Sequence, residues 1–369
     1  MDFEAEGLLD GLEGPQRAAR VKLLEGLLGE GFSAEELRAA AAEDRLALLL
    51  VDRVLGGRYT AADVEERTGL SADALTRARR LLGLPEVSPH EPVFSEEDLE
   101  AARAIDTFIT AGFGQDSVAE ITRVLGEAMA RLSAATTAAF AEAFLAPGDN
   151  EHAVAWRFAQ LAENLTPAVT PVLAAAFRAH LRETVRRAMI SQAELAAGRV
   201  QEEVQAAVAF ADLVGFTRLG GELEASELGG VVGRFGELAA QAAQEPVRLV
   251  KTIGDAAMLV SREPGPLVAA CLSLVEAVAA ADLPSIRAGI AFGSASPRAG
   301  DLYGHAVNLA SRVTGIARPG SVLCTQEVRD AAREQFEWSF ARRHRLKGIG
   351  DAVPLYRARA LSPPTADRR

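Results

Sequence analysis

Two aspartates in the second half of the chain lie where a strand pattern gives way to a turn. Asp212 is near the end of the apolar run 206–216, and Asp255 sits in the Gly-Asp turn between two strand patterns within 247–262. If those strands are neighbours in one sheet, the two carboxylates converge and could hold a pair of metal ions such as Mg²⁺ for phosphoryl transfer. Taken singly, each aspartate is explained more simply as a turn residue.

The turn after Asp212 is a candidate phosphate site, because the backbone N–H groups of a tight turn can cradle phosphates. Phe216 and Thr217 are therefore candidate substrate-binding residues. Lys251 lies four residues before Asp255, which is roughly 13 Å along an extended strand at about 3.3 Å per residue. We therefore expect Lys251 and Asp255 to serve different ends of a ligand. Alternatively, Lys251 protects an edge strand from unwanted pairing.

Asn308 and Arg312 are four residues apart, on one face of an otherwise apolar helix pattern. An arginine there could stabilise charge developing on phosphorus, and an asparagine could orient a sugar. Asp301 precedes this helix by a short loop, and Lys347 lies in the basic segment RLKGIG, where it could bind phosphate. Alternatively, Asn308 and Arg312 lie on an exposed helix face, Asp301 is a capping or turn residue, and Lys347 belongs to a solvated loop.

The elements that must position these residues follow from the pattern after about residue 204. The predicted strands are 206–216, two within 247–262, 286–296, 321–325, and one or two from residue 336 onward. The predicted helices are 228–244, 267–281, 306–317 and 326–335. Strands and helices mixed in this order predict an α+β sandwich of ferredoxin-like type.

The first 182 residues have the period of consecutive helices, which predicts an all-α domain. Three serines precede helix patterns that carry an early acidic residue, as N-caps do: Ser33, Ser71 and Ser95.

The segment 183–203 is predicted to be a helical linker, with the paired arginines Arg186 and Arg187, and a helical linker can transmit rotation. Residues 361–369 are predicted to be a tail.

Charge and composition argue against several classes of protein. Residues 1–203 hold 34 acidic and 20 basic side chains, whereas residues 204–360 hold 16 and 17, so the first half is a poor nucleic-acid binder. The two cysteines lack metal-ligand spacing. The acidic N-terminus is unlike a signal peptide and the apolar runs are too short for a membrane span, so we expect a cytoplasmic protein without membrane contact.

Four segments carry a resemblance to a known family: AVAFADLVGFT, LVKTIGDAAML, GDLYGHAVNLASRVTG and RLKGIGD. In this order and spacing they resemble the catalytic domain of class III nucleotidyl cyclases over residues 204–360. The resemblance implies synthesis of cyclic AMP and pyrophosphate from ATP with two Mg²⁺ or Mn²⁺ ions per site. It also implies a homodimer whose two sites are shared between subunits, so that a monomer is inactive.

The resemblance further implies a role for each matching position. Asp212 and Asp255 would hold the metal ions. Lys251 and Asp301 would read the adenine ring, and this pair of residue types favours ATP over GTP. Asn308 would orient the ribose, and Arg312 would stabilise the transition state. Lys347 would bind the triphosphate.

Residues 59–121 resemble a MerR-type winged helix–turn–helix. DNA binding is nevertheless disfavoured, because the local charge is acidic and the basic residues form a single cluster of Arg77, Arg79 and Arg80. A helical protein-interaction module is the preferred interpretation.

The whole domain order resembles actinobacterial soluble cyclases with an autoinhibitory, pH-responsive N-terminal domain. Histidine titrates near neutral pH, so His152 and His180, in the late helices, are candidate regulatory residues. An ordinary surface or core histidine is the alternative for each. An apolar ligand among these helices is a further possibility. For the whole chain, the alternative function is a catalytically silent cyclase-like module in a DNA-binding or signalling regulator.

Overall fold

The computed structural model describes residues 1–146, 148–187, 203–298 and 300–361. The chain divides into two compact units near residue 190, and each is described here by itself. The predicted linker residues 188–202 and tail residues 362–369 lie outside the described residues.

The N-terminal unit is helical, as predicted. Its α-helices are α1 (Gly14–Gly29), α2 (Ala34–Ala42), α3 (Leu49–Leu55), α4 (Ala61–Thr68), α5 (Ala72–Leu81), α6 (Glu96–Thr110), α7 (Gln115–Phe144) and α8 (Glu151–Arg187), with a 3₁₀ turn at Leu46–Leu48. The three predicted caps are present: the hydroxyls of Ser33, Ser71 and Ser95 accept from the amides of Glu36, Ala74 and Asp98.

Two apolar cores hold this unit together. In the first, Leu23 and Leu27 of α1 pack with Leu37 of α2 and with Ala155 and Ala159 of α8. In the second, a helix–turn–helix formed by α4 and α5 packs on the start of α6 through a cluster that includes Val64, Leu75, Phe94 and Leu99. Among the side chains that the structure describes, none from the second half of α8 belongs to either core.

The C-terminal unit is a mixed sheet with helices on both faces. Its strands are β1 (Val204–Leu213), β2 (Arg248–Ile253), β3 (Ala256–Ser261), β4 (Ile286–Arg298), β5 (Asp301–Tyr303), β6 (Ser321–Thr325), β7 (Glu337–His344) and β8 (Val353–Arg359). Its helices are α9 (Phe216–Leu219), α10 (Ala225–Ala242), α11 (Pro264–Ala280), α12 (His305–Ile316) and α13 (Gln326–Ala331).

The order β1-α10-β2-β3-α11-β4 builds the predicted ferredoxin-like arrangement. These four strands are antiparallel neighbours in the order β2-β3-β1-β4, and β6, β8 and β7 extend the sheet beyond β4. Successive residues of β1 point to opposite faces. Ala207, Ala209 and Ala211 pack toward α10 and α11, whereas Ala206 and Val208 pack toward α12.

Most elements lie within a few residues of the prediction, but three features of the unit differ from it in ways that have a physical reason. The first strand ends at Leu213 rather than residue 216, because Gly215 adopts φ 79° and starts the short helix α9. The predicted helix 326–335 ends at Ala331. The three-residue strand β5 was not predicted, because so short a strand between two glycines has no alternation to detect.

In the described part of the chain, no helix is both long and apolar enough to cross a membrane. Cys271 and Cys324 are buried free thiols.

Candidate active site

Asp212 and Asp255 meet at one end of the sheet. The residue after Asp212, Leu213, donates its amide to the Asp255 carbonyl at 3.0 Å, and Asp212 itself pairs in register with Ala256. Gly254 permits the β2–β3 turn that carries Asp255, because its φ of 57° lies in the left-handed region. The structure therefore brings together the two carboxylates that the turn pattern predicted would converge.

The local environment disfavours two negative charges here. Burial raises the pKa of Asp255, and the neighbouring charge of Asp212 raises it further. A backbone hydrogen bond at Asp255 and the positive charge of Arg287 act in the opposite direction. A bound cation would offset the unfavourable burial of the Asp255 charge and its repulsion by Asp212.

Arg287 is a site residue that sequence reasoning missed. It lies opposite Asp212 in the β1–β4 register, and its Nε and Nη2 donate to Asp212 Oδ2 at 3.0 and 2.7 Å. Its Nη1 donates to the carbonyl of Gly315 at 3.1 Å, in the last turn of α12. The missing signal was the strand register, which a single sequence does not reveal.

The donor set fits a divalent ion bound together with a phosphate. Among the described residues there is no group of three or more His, Cys, Asp and Glu side chains placed to hold a metal. Mg²⁺ is usually held by one or two carboxylates together with substrate phosphates and water rather than by an all-protein cage. Asp212 and Asp255 match that pattern.

Lys251 and Asp301 form a second pair. Lys251 Nζ donates to Asp301 Oδ2 in a half-buried ion pair that joins β2 to β5. The other carboxylate oxygen, Oδ1, accepts from the amide of Leu302 at 2.8 Å. The two side chains that the resemblance assigns to adenine are thus held together, and both are partly exposed.

Asn308 and Arg312 share the exposed face of α12. The opposite face of the helix buries Ala306, Ala310 and Val313 against the sheet. Neither polar side chain makes a hydrogen bond or ion pair with the part of the chain that is described. Both are therefore available to a ligand, unlike Asp212 and Lys251.

The remaining candidates lie in loops and helix starts. Lys347 is exposed in the β7–β8 connection, next to the buried Leu346. Phe216 begins α9 and packs partly against the core beneath α10 and α11, whereas Thr217 is exposed. Within the described residues, no hydrogen bond or ion pair joins the Asp212–Asp255 pair to the Lys251–Asp301 pair.

The regulatory candidates differ from one another. The His152 ring stacks on Trp156 with centroids 4.6 Å apart, and burial, followed by the charge of Lys22, lowers the His152 pKa. His180 is exposed on α8. Arg186 and Arg187 are the last residues of α8, and their side chains lie outside the described residues.

The basic cluster of the helix–turn–helix is mostly engaged. Arg79 lies over the Phe94 ring at 5.5 Å and donates to the Pro85 carbonyl, and Arg80 pairs with Glu86 at 2.6 Å. Arg77 and Arg80 are both exposed, and Glu86 balances the charge of Arg80, so the cluster offers little unpaired positive charge for DNA.

Comparisons with known proteins assign each of the two units to a domain family. Residues 1–185 match the model of the adenylate cyclase regulatory domain, and residues 199–356 match that of the adenylate and guanylate cyclase catalytic domain. These matches define the class: a nucleotidyl cyclase domain preceded by a regulatory domain.

Curated relatives narrow the class. The chain is 39% identical to the pH-sensitive adenylate cyclase MT1302 of Mycobacterium tuberculosis, over 97% of this chain and 92% of the relative. It is 34% identical to an adenylate cyclase of Streptomyces coelicolor, over 76% of this chain and 74% of the relative. Among solved structures, the adenylyl cyclase CyaB from P. aeruginosa aligns over 43% of this chain and 96% of its own, at 22% identity and a TM-score of 0.39. The chain belongs to the adenylate cyclase family.

Proposed function

We propose that this chain converts ATP to 3′,5′-cyclic AMP and pyrophosphate at sites shared between two copies, under the control of its N-terminal unit. The observation that carries the proposal is the meeting of Asp212 and Asp255 at one end of a cyclase sheet. Without that pair, the chain would hold nucleotide-binding side chains but no place for the ions that ATP brings.

Asp212 and Asp255 would hold two Mg²⁺ or Mn²⁺ ions. When bound, such ions supply Lewis-acid chemistry that favours ionisation of the ribose 3′-hydroxyl and neutralises the triphosphate. Because Arg287 donates twice to Asp212, its guanidinium balances part of the carboxylate charge until a cation is present.

The side chains of the chain bind and orient the nucleotide. Lys251 donates to the adenine ring and Asp301 accepts from it, so the ion pair between them is a preformed donor–acceptor edge. Asn308 orients the ribose, so that the 3′-oxygen attacks the α-phosphorus in line and pyrophosphate leaves. Arg312 stabilises the charge that develops on that phosphorus, an effect worth roughly 3–4 kcal/mol for preorganised donors.

The triphosphate is held at the other end of the nucleotide. The exposed ammonium group of Lys347 binds its oxygens, and the turn at Phe216 and Thr217 contributes backbone N–H groups.

Two copies are required because the two pairs serve opposite ends of ATP. Lys251 lies on β2 and Asp255 at the tip of the β2–β3 hairpin, and no hydrogen bond or ion pair joins their two pairs within the described residues. In a two-fold dimer, the carboxylates of one copy face the Lys–Asp pair and the α12 polar face of the other. A monomer holds half of each site and is inactive.

The first test measures cyclic AMP formation from Mn²⁺-ATP by the purified full-length chain. Product formation is expected, whereas ATP that stays untouched would overturn the enzyme proposal and leave the catalytically silent module. The second test mixes Asp212→Ala chains with Asn308→Ala chains. Recovered activity supports shared sites, and no recovery despite confirmed mixed dimers refutes them.

Regulation by pH is supported by the name of the mycobacterial relative and by the half-buried position of His152 against Trp156. His152 begins α8 among the charges of Lys22, Arg20 and Glu151, the last two forming an ion pair at 2.6 Å. Protonation there disfavours the packing of α8 on α1, so acid would relieve inhibition. Activity of the full chain is expected to rise as pH falls, and a profile unchanged in His152→Phe would rule out this histidine.

A further inference from the structure

His305 is an exposed side chain at the start of α12 to which the proposed function gives no role. It is the first residue of the helix, and no hydrogen bond or ion pair engages its imidazole among the residues that the structure describes. A neutral imidazole has one ring nitrogen that donates and one that accepts. The side chain can therefore offer both a donor and an acceptor to a ligand.

The imidazole lies on the same face of α12 as Asn308 and Arg312. Residues three and four apart share a helix face, and His305, Asn308 and Arg312 follow one another in steps of three and four. All three are exposed, whereas Ala306 and Ala310 are buried against the sheet. At about 1.5 Å of rise per residue, His305 lies roughly 4.5 Å from Asn308 along the axis, on the side away from Arg312.

The order of residues along the chain indicates which part of the nucleotide reaches His305. The proposed function places adenine at Asp301, the ribose at Asn308 and the α-phosphorus at Arg312. His305 lies between the first two in the sequence, so we expect it at the boundary between base and sugar. The ribose carbon C2′ is at that boundary, because it separates C1′, which carries the base, from C3′, which carries the attacking hydroxyl.

The 2′-hydroxyl suits this side chain chemically. A 2′-hydroxyl is both a donor and an acceptor, as a neutral imidazole is. A site that hydrogen-bonds a substrate hydroxyl discriminates against the analogue that lacks it, because the polar group of the site is then left without its partner. A histidine at this position can therefore distinguish a ribonucleotide from a 2′-deoxyribonucleotide.

The backbone before His305 is held firmly enough to aim the side chain. Gly304 has a φ of 133°, and a β-carbon there would lie 3.1 Å from the Ser294 carbonyl oxygen and 3.3 Å from the Ala295 α-carbon of β4. The Gly304 carbonyl accepts from the Asn308 amide at 3.2 Å. The start of α12 is therefore seated directly on the sheet, and a fixed start reduces the conformational freedom that a ligand contact must remove.

We propose that His305 hydrogen-bonds the ribose 2′-hydroxyl of ATP and makes the chain select ribonucleotides over 2′-deoxyribonucleotides. This inference rests on the proposed function, which supplies the direction of the nucleotide along α12. It adds a specificity-determining residue to the groups assigned to adenine, ribose and phosphorus.

The test compares ATP with 2′-deoxy-ATP as substrates of the full-length chain. The wild type is expected to have a kcat/KM about 10-fold higher for ATP, as one lost hydrogen bond allows. His305→Ala should lower kcat/KM for ATP by about the same factor and leave that for 2′-deoxy-ATP within about two-fold of wild type. His305→Gln, which keeps a donor and an acceptor, should recover part of the preference. His90→Ala, at an exposed histidine of the N-terminal unit, is the matched control and should keep the full preference.

The ratio between two substrates does not depend on how much of the enzyme is folded, so a loss of stability cannot imitate the expected result. An equal decrease with both nucleotides in His305→Ala, or a preference equal to that of wild type, would overturn the proposal. A wild type that makes cyclic AMP from ATP but uses both nucleotides equally well would overturn it and leave the proposed function standing. A wild type that makes no cyclic AMP would contradict the proposed function, and the role of His305 would be refuted with it.

Discussion

Lys251 and Asp301 form a half-buried ion pair although 50 residues separate them in the chain. The pair joins β2, at one edge of the sheet, to β5, which pairs with β4 on the far side of β1. A donor and an acceptor are thus fixed side by side, and in the proposed function this would lower the entropy cost of binding a base that needs both.

Asp301→Asn tests this preorganisation. The amide keeps the size of the side chain but leaves the Lys251 ammonium without its charged partner, so we expect kcat/KM for ATP to fall about 10- to 100-fold. Steady-state kinetics with ATP provide the measurement. Asp282→Asn, at an exposed position in a loop, is the control and should be close to wild type. Equal kinetics for the two variants would contradict the assignment of Asp301.

Arg287→Gln tests the charge balance at the carboxylates. Removal of the guanidinium takes one positive charge from the immediate neighbourhood of Asp212 and Asp255, so we expect the nucleotide-free chain to bind Mn²⁺ several-fold more tightly, or about 1 kcal/mol. Calorimetric titration of Mn²⁺ gives the affinity directly. Arg318→Gln, an exposed arginine, is the matched control. An affinity that drops in Arg287→Gln would show that the arginine supports the cation instead.

Gly289→Ala tests how α12 is seated. A β-carbon at Gly289 would lie 2.2 Å from the Thr314 amide nitrogen, whereas at Gly293 it would lie 3.7 Å from the Ala306 side chain. We therefore expect Gly289→Ala to cost about 1–3 kcal/mol of unfolding free energy and to lower activity, because α12 carries Asn308 and Arg312. Gly293→Ala should be tolerated. Thermal unfolding of both variants gives their melting temperatures. Equal values would contradict the close approach of Gly289 to Thr314.

His152→Phe tests the acid response of the N-terminal unit. The folded-state pKa of His152 lies below the ordinary value of 6.5, so the unfolded chain binds the proton more readily. The stability contribution is therefore complete above pH 6.5 and is lost as pH falls from 6.5 through the lower folded-state pKa. Wild-type melting temperature should fall more between pH 7.5 and 5.5 than that of His152→Phe, which keeps a ring against Trp156. His180→Gln should follow the wild type.

Sequence patterns predicted the parts of the site that depend on local signals. The end of a strand pattern and a Gly-Asp turn indicate Asp212 and Asp255 as candidate site residues. The four-residue spacing of Asn308 and Arg312 within a helix pattern places them on one face. The Lys251–Asp301 contact was not predicted as a contact, because it depends on β5, a strand of three residues. Arg287 was missed altogether, because its importance comes from the β1–β4 register rather than from its neighbours in sequence.

In the helical N-terminal unit, too, local features were predictable from sequence and features that depend on packing were not. The caps at Ser33, Ser71 and Ser95 are local and were predictable from side-chain type. The exposed face of α8 was not, because a run of alanine, valine and leucine gives no indication of whether its own unit covers it. Burial is a property of the assembled fold, and in this helix it changes between Ala159, which is in the core, and Val172, which is not.

The guanidinium of Arg287 has one further consequence. It bonds both the Asp212 carboxylate and the Gly315 carbonyl, so it connects the sheet end proposed to bind metal to the helix of Asn308 and Arg312. In the proposed dimer these two groups of one chain serve different substrate molecules. If a ligand drew Arg287 away from Asp212 in one proposed centre, the hydrogen bond to the helix of the other centre would also be lost, so we expect ATP dependence to deviate from simple hyperbolic saturation.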